Sequence, residues 1–502
     1  MIDAVLNRVT MYRLTLYYLV ALIVAAIVFA SFGVIAMEPL VIGIYTLTAL
    51  AVSWLTNTVF AAVYKLPLNI ESGHITALIL ALIFSPMGLG NSGAIGAFIF
   101  ACVWANASKF IFAFGGKHVF NPAAFGAAAA ALLLNDSASW WAAGNVPLLP
   151  LVAIGGLLVT RKLQRFDLVL AYFAAAVAAS AVMTRGENLL GEVEQLLLYS
   201  PLAFVGFIML TEPLTTPPTR AMRILYGVIV GALSGPNVHI GGVPVTPELA
   251  LLIGNVFAFL VSPKRRYALA LQRIDEVARG IYDFVFISDR PLAFKAGQYL
   301  EWTLAVKPGD ARGNRRYFTV ASAPADKDVR LGVRFYPNSS AFKQAMGALQ
   351  PGDTVYAGQV AGDFILPKDA KQKLAFLAGG IGVTPFRAMI EQLLADKQAR
   401  PITLLYGSER QADVAYRDLF ERAGAEIGLK TVYVLAGEQV LGRGNAHGLI
   451  DAKLIAAEIP DYRERLFYVA GPRGMVVATR AALRAMGVPA ARIKVDFFPG
   501  FA

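Results

Sequence analysis

The sequence has very little cysteine and little charge. Cys102 is its single cysteine in 502 residues. One cysteine excludes a disulfide framework, a zinc site of the CxxC type and an iron–sulfur cluster held by cysteines of this chain. Charged residues make up only 16% of the chain and hydrophobic residues 57%, whereas soluble domains have about 25% charged residues. The composition therefore predicts a largely apolar protein, and no metal site is predicted.

The apolar residues are concentrated between residues 14 and 262. A helix needs about 20 apolar residues to cross the hydrocarbon core of a membrane, and fewer where it is buried in a bundle. Apolar runs between breakers therefore predict an all-α polytopic membrane bundle of ten helices. They cover residues 14–36, 39–64, 72–86, 91–113, 118–134, 146–160, 166–184, 195–211, 221–236 and 247–262.

Charges in the predicted loops favour one orientation. With the N-terminus inside, the even-numbered loops and the segment after the last helix carry Lys65, Lys117, Arg161, Lys162, Arg165, Arg220, Lys264, Arg265 and Arg266. The odd-numbered loops carry only Arg185, and basic residues favour the cytoplasmic side. We therefore expect a multi-pass protein of the inner membrane with both termini in the cytoplasm. The net charge of +11 is expected to interact with an anionic membrane surface and with anionic nucleotides. No nucleic-acid partner is predicted.

After residue 264 the pattern becomes that of a soluble protein. Alternating apolar residues at 281–286 and 331–335 predict short strands of an antiparallel β-barrel. From about residue 372 strands alternate with helices, which predicts an α/β domain with a parallel sheet. The predicted domains are a membrane domain at 1–266, a barrel at 267–370 and a parallel-sheet domain at 371–502.

Four motifs in this half carry groups that suit flavins and phosphates. Residues 294–299 (FKAGQY) predict a strand that enters the barrel. Residues 316–322 (RYFTVAS) offer a cation for a pyrophosphate, an aromatic face for a flavin ring and a hydroxyl for a ring nitrogen. The glycines of residues 378–385 (AGGIGVTP), between a strand and a helix, let backbone N–H groups approach a diphosphate. Residues 468–475 (YVAGPRGM) are a second strand end that opens into a helix.

These motifs, in this order, resemble the ferredoxin–NADP reductase superfamily over residues 270–502. The resemblance implies that the barrel binds FAD and that the following domain binds a pyridine nucleotide. The residues implied for FAD are Arg316 at the pyrophosphate, Phe318 on the ring, Thr319 near N5, and Ser322, Ser339 and Ser340. Those implied for the nucleotide are Gly379, Gly380, Gly382, Thr384, Gly471 and Pro472. Thr319 and Phe498 are the implied catalytic residues.

Three positions depart from the family pattern. Phe318 stands where tyrosine is commoner, Ala470 where cysteine is frequent and Asp496 where glutamate is usual. These differences are expected to affect rate and redox properties and not the choice of cofactors. Between NADH and NADPH, Arg410 can meet a 2′-phosphate while Glu409 would repel one. The sequence favours NADH and leaves NADPH open.

Two passages of the membrane half place proline and polar groups at helix ends, residues 115–123 (GGKHVFNPA) and 209–217 (MLTEPLTTP). Both resemble the family of membrane subunits shared by the sodium-translocating NADH:quinone reductase and the Rnf electron transport complex. The resemblance implies a flavin near Asn121, Thr211 and Thr215. The Ser-Gly-Ala-Thr motif that attaches FMN in that family is missing. We therefore predict no covalent FMN, and a noncovalent flavin or a quinone stays open.

The predicted function is that of a membrane-bound NAD(P)H-dependent FAD oxidoreductase. Its electrons would pass to a flavin, a quinone or a redox partner protein in or across the membrane domain. A haem-type transmembrane reductase and a redox-linked transporter are the alternatives. Haem ligation across a bundle needs paired ligands, and the membrane half has only His74, His118 and His239.

Overall fold

The structure, a computed structural model, divides into two compact units, Met1–Lys264 and Arg265–Ala502. The side chains of Phe497 and Phe498 lie outside the described part of the chain, as do Lys65, Arg185 and Lys264 from the predicted loops. The described residues are 6, 9–64, 70–88, 90–114, 117–184, 188–263, 265–304, 306, 314–337, 339–438 and 444–498.

The N-terminal unit is built of helices. Its longer helices are α1 Met11–Ser31, α2 Pro39–Val63, α3 Ile70–Ile83, α4 Ser92–Ile111, α5 Pro122–Leu134, α6 Leu149–Leu163, α7 Phe166–Met183, α8 Leu189–Leu198, α9 Arg220–Leu233 and α10 Pro247–Val261. Between α8 and α9, a short helix at Leu202–Phe204 continues as a π-helix at Val205–Met209. Two short antiparallel strand pairs also occur, Ala113–Phe114 with Lys117–His118 and His239–Ile240 with Val243–Pro244.

Each of the ten apolar runs contains a helix, but the helices differ in length. Among the described residues, α1, α2, α4 and α7 are long and apolar enough to cross a membrane. The pair Leu189–Leu198 and Leu202–Met209, bent by 61°, would make a fifth span. The helices α3, α5 and α10 are apolar but shorter. A helical N-terminal region with several apolar helices is therefore confirmed, and the number of spans stays a prediction.

Glycine allows α7 and α9 to pack closely. A Cβ atom on Gly227 would lie 2.6 Å from the carbonyl oxygen of Leu168, and one on Gly231 would lie 2.3 Å from that of Tyr172. These distances leave no room for a side chain. Small residues at helix contacts are typical of membrane proteins. Helices in lipid gain no hydrophobic driving force on association, so their association depends on close van der Waals packing.

The C-terminal unit begins with a six-stranded antiparallel sheet in the order β4-β3-β6-β1-β2-β5. Its strands are β1 Arg266–Ala278, β2 Ile281–Ser288, β3 Tyr299–Thr303, β4 Arg315–Thr319, β5 Val329–Arg334 and β6 Thr354–Ala361. Phe284, Phe286 and Trp302 form its core, and helix α11, Ala341–Gly347, packs Phe342 against them. An antiparallel half-barrel sheet is thus confirmed, and its closure into a barrel stays a prediction.

The rest of this unit is a parallel sheet in the order β10-β9-β8-β7-β11-β12. Its strands are β7 Leu374–Gly379, β8 Ile402–Ser408, β9 Lys430–Leu435, β10 Asn445–His447, β11 Leu466–Pro472 and β12 Ile493–Phe498. Its helices are α12 Thr384–Ala395, α13 Arg417–Ile427, α14 Ala452–Glu458 and α15 Arg473–Ala485. Alternate residues of β7 enter two separate cores, so helices cover both faces of the sheet.

The strand order fixes where a ligand would bind. The chain runs outward from β7 through β8 and β9 to β10, and then returns to β11 on the other side of β7. The direction of winding therefore changes between β7 and β11. In open α/β sheets, ligands bind beyond the carboxyl ends of the strands at such a switch point.

Candidate functional site

The predicted dinucleotide turn lies at this switch point. Gly379 ends β7, Gly380–Val383 form a 3-10 turn, and α12 begins at Thr384. The carboxyl end of β11 packs against the turn so closely that a Cβ atom on Gly382 would lie 2.4 Å from the Cα atom of Gly471. Gly380 also has a left-handed φ of +51°. The structure therefore brings together the six residues predicted for the nucleotide, and two of the glycines are required by the backbone itself.

Thr384 marks the beginning of α12. Its side chain is buried, and Oγ1 donates a hydrogen bond to the carbonyl oxygen of Ile381 at 3.2 Å. The hydroxyl thus closes the turn from inside. The 3-10 turn runs directly into α12, and the Thr384 amide donates to the carbonyl oxygen of Ile381. The N–H groups that have no partner within a helix and carry its partial positive charge are therefore expected in the turn, which makes the turn suitable for a phosphate.

Arg316, Phe318 and Thr319 lie on β4, at one edge of the antiparallel sheet. The Arg316 guanidinium lies 5.1 Å from the ring centroid of Phe342, and the ring of Phe318 lies 5.9 Å from the same ring. Thr319 is only 2% exposed, and its Oγ1 has no hydrogen-bond partner among the described residues. A buried polar group without a partner costs about 1–3 kcal/mol. This hydroxyl fits a bound ligand that supplies the missing partner, as the flavin prediction requires.

The three predicted serines take part in the local fold. Ser322 Oγ accepts a hydrogen bond from the amide of Arg330 at 3.1 Å. Ser339 Oγ donates to the carbonyl oxygen of Tyr336, and Ser340 Oγ accepts from the amide of Lys343 at the beginning of α11. Each serine shapes a turn beside β4 or β5. Their contacts with FAD stay predictions.

Two of the departures from the family pattern are neighbours in the structure. Ala470 on β11 pairs with Asp496 on β12. Burial raises the pKa of the Asp496 carboxyl to about 6. The carboxyl is therefore mostly protonated below about pH 6 and mostly ionised above it. Phe498 pairs through its backbone with Pro472, while its side chain lies outside the described part.

Glu212 is the centre of a polar cluster in the N-terminal unit, formed with His118, Asn121 and Thr215. Asn121 Nδ2 donates to Glu212 Oε2 at 2.9 Å, and Thr215 Oγ1 donates to the same oxygen at 3.2 Å. His118 Nε2 lies 3.0 Å from Glu212 Oε1. Thr211 does not join the Glu212 cluster, because its hydroxyl donates to the carbonyl oxygen of Phe207 at 2.7 Å.

The sequence prediction did not single out Glu212 and His118. Both lie inside the two passages on which the family resemblance rests, so an ionisable residue within four positions of a proline in each passage was the available signal. His239, another histidine considered as a haem ligand, lies on an exposed strand. The Glu212 cluster offers hydrogen-bond donors and a carboxylate, and a flavin in this unit stays a prediction.

Two family models match the chain, one in each unit. An oxidoreductase NAD-binding domain covers residues 376–481, and the NQR2, RnfD, RnfE family covers residues 142–266. The chain is a fusion of these two parts. The membrane resemblance is therefore confirmed, and the model match falls on the second half of the predicted membrane domain.

Curated relatives of the fusion match less than half of its length. The flavohemoprotein of Pseudomonas aeruginosa is 26% identical over 236 residues, which are 47% of this chain and 58% of that protein. The NADPH oxidoreductase of Mycobacterium tuberculosis is 27% identical over 187 residues, 36% of this chain and 47% of that protein. The chain spans between 52 and 58% of the length of the first four curated relatives.

A solved structure also matches part of the fusion. It is the flavohem-like FAD/NAD binding domain of nitric oxide dioxygenase from Vibrio cholerae. The match has a TM-score of 0.42 and 20% identity, and it covers 46% of this chain and 98% of that domain. With the family match and the relatives, an NAD(P)H-dependent oxidoreductase module in the fusion is confirmed.

Proposed function

We propose that the fusion is a membrane-bound flavoprotein oxidoreductase that passes electrons from NAD(P)H through FAD to an acceptor in or across its helical unit. The observation that carries the proposal is the buried Thr319 hydroxyl, which lacks a partner among the described residues, three positions from the Arg316 guanidinium. The glycine turn at the switch point supports a second nucleotide in the same unit.

Each residue has a proposed role in holding the two nucleotides. Arg316 binds the pyrophosphate of FAD, Phe318 packs on the ring, and Thr319 donates its hydroxyl hydrogen to a ring nitrogen. The turn Gly379–Gly382 and the beginning of α12 bind the phosphates of the nicotinamide nucleotide. FAD, when bound, supplies the capacity to accept a hydride and to release electrons singly or in pairs. Asp496 is suited to hold or release a proton near pH 6.

For the helical unit, we propose ten spans in the inner membrane with both termini in the cytoplasm. The helix within each apolar run and the bias of basic residues towards the even-numbered loops support this topology. A noncovalent flavin at the Glu212 cluster, a quinone or a redox partner protein would take the electrons. We likewise propose that the antiparallel sheet forms a closed, FAD-binding barrel.

The proposal is tested by adding NADH anaerobically to purified protein in detergent. We expect the flavin absorbance to bleach on addition of NADH, and we expect denaturation to release FAD into solution. Protein that stays colourless after incubation with added FAD would contradict the proposal. A Soret band in the spectrum would favour the haem-type alternative instead.

Glu409 supports a preference for NADH. It follows β8, at the carboxyl edge of the parallel sheet, and its backbone carbonyl oxygen accepts a hydrogen bond from Gly437 at 2.8 Å. We expect Glu409→Gln to raise the kcat/KM for NADPH relative to that for NADH roughly fivefold, because a charge repulsion of about 1 kcal/mol is removed. The measurement is the ratio of the two kcat/KM values.

The matched control is Glu421→Gln, which removes an exposed carboxylate paired with Arg417 on α13. This control should leave the ratio unchanged. If both variants change the ratio equally, the preference does not depend on Glu409.

A further inference from the structure

Arg387 joins the two halves of the C-terminal unit. It lies on α12, one turn after Thr384, and its Nη1 donates a hydrogen bond to the carbonyl oxygen of Ala321 at 2.6 Å. Both residues are buried. Ala321 follows Thr319 by two positions. One hydrogen bond therefore connects the helix that begins at the dinucleotide turn with the segment that carries the buried Thr319 hydroxyl.

Tyr416 makes a second connection between the same two halves. It precedes α13 and holds a left-handed backbone with φ of +61°, which is unusual for a residue other than glycine. Its hydroxyl donates to Asp283 Oδ1 at 2.5 Å, and Asp283 is fully buried on β2. The Arg387 guanidinium lies 5.2 Å from the centroid of the Tyr416 ring. The two connections therefore contact each other.

Gly332 on β5 provides the space for this contact. A Cβ atom at this position would lie 2.6 Å from the Tyr416 hydroxyl oxygen and 2.7 Å from Cγ2 of Thr384. Tyr416 and Thr384 both belong to the nucleotide half, whereas Gly332 belongs to the sheet half. The absence of a side chain therefore lets the beginning of α12 come directly against the antiparallel sheet.

From this arrangement we infer that Arg387, Tyr416 and Asp283 are positioning residues for hydride transfer. They fix the nucleotide half against the flavin half and do not themselves touch the reacting atoms. This inference depends on the proposed function. Hydride transfer needs the two reacting atoms about 3–3.5 Å apart, and a displacement of about 1 Å can lower the rate roughly 100-fold. A buried, doubly connected interface is suited to hold that distance.

The test compares Arg387→Met with the matched control Arg422→Met in the FAD-loaded full chain. Arg422 is exposed and pairs with Glu391 at 3.0 Å, a residue that also lies 3.8 Å from Arg387. We expect Arg387→Met to lower the limiting rate of flavin reduction by NADH, per bound FAD, roughly 100-fold. The dissociation constants of FAD and NADH should change less than about threefold, and Arg387→Lys should recover part of the rate.

Amide hydrogen exchange gives a readout that needs no turnover. We expect the segment 319–323 to exchange faster in Arg387→Met and at the wild-type rate in Arg422→Met. A Tyr416→Phe variant removes only one hydroxyl. It tests the positioning role if Arg387→Met fails to fold or loses FAD. Its limiting rate should be roughly tenfold below that of the wild type.

The outcomes separate the inference from the proposed function. If NADH does not reduce the wild-type flavin, the proposed function fails, whatever the exchange data show. If the wild type is reduced and both Arg387→Met and Tyr416→Phe match it in rate and in exchange, the positioning role is overturned. If the rate per bound FAD is normal and only stability falls, the three residues are structural, which also overturns it.

Discussion

Replacement of Arg316 by alanine is expected to remove FAD from the protein while the chain stays folded. Arg316 is 9% exposed beside the Phe342 ring, and its Nη1 donates a hydrogen bond to the carbonyl oxygen of Arg315 at 2.7 Å. The guanidinium is proposed to bind the pyrophosphate as well. Hydrogen bonds to charged groups contribute about 1.5–3 kcal/mol each, so one lost contact weakens FAD binding roughly 10- to 150-fold. The measurement is the FAD content of purified protein together with the dissociation constant for added FAD.

The neighbouring Arg315→Ala is the control for this variant. Arg315 is on the same strand, but its side chain is 37% exposed and pairs with Glu301 at 3.1 Å. It should lower the stability slightly and retain FAD, since exposed ion pairs contribute about 0–1 kcal/mol. Equal loss of FAD from both variants would show that the strand is disturbed as a whole and that Arg316 has no special contact.

Gly382→Leu is expected to abolish reduction by NADH and to leave FAD bound. A Cβ atom at this position would lie 2.4 Å from Cα and 2.5 Å from N of Gly471, and backbone atoms cannot move aside as a flexible side chain can. The turn and the end of β11 would be forced apart at the site proposed for the nicotinamide nucleotide. We expect the rate of flavin reduction by NADH to fall at least about 100-fold, in line with the sensitivity of such reactions to geometry.

Dithionite and a second glycine distinguish this effect from general damage. Dithionite should still reduce the flavin in Gly382→Leu, because it needs no nucleotide site. Gly424→Leu lies on the exposed side of α13, where an added Cβ atom would come no closer than 3.3 Å to another residue. That control should keep near wild-type reduction by NADH. Loss of FAD from Gly382→Leu would contradict the separation of the two nucleotide sites.

The sequence allowed the C-terminal site to be predicted because its parts are local. The turn at 378–385 is contiguous, so the glycines, the threonine and the helix that follows are visible in one short stretch. The partner glycine at position 471 was found in the same way. The sequence did not show that Gly471 requires glycine at position 382. This contact arises only because β7 and β11 are neighbours in the sheet.

Contacts between distant segments account for most of what the sequence could not supply. Asp283 and Tyr416 are 133 positions apart, and neither belongs to a motif. Glu212 and His118 are 94 positions apart, although each lies within a passage that was singled out. Most helix ends were predicted within a few residues. The beginning of the bent pair at Leu189, the π-helix and the 61° bend were not predicted, because apolar composition does not specify how a helix is interrupted.

The continuity of the chain has a kinetic consequence. Residues 262–265 alone separate the last long helix of the first unit from the first strand of the second. A donor and an acceptor on separate molecules must collide, so their exchange slows on dilution, whereas linkage makes the event unimolecular. Under the proposed function, turnover per molecule should therefore be independent of enzyme concentration. Cleavage between the units should convert it into a bimolecular process that obeys second-order kinetics.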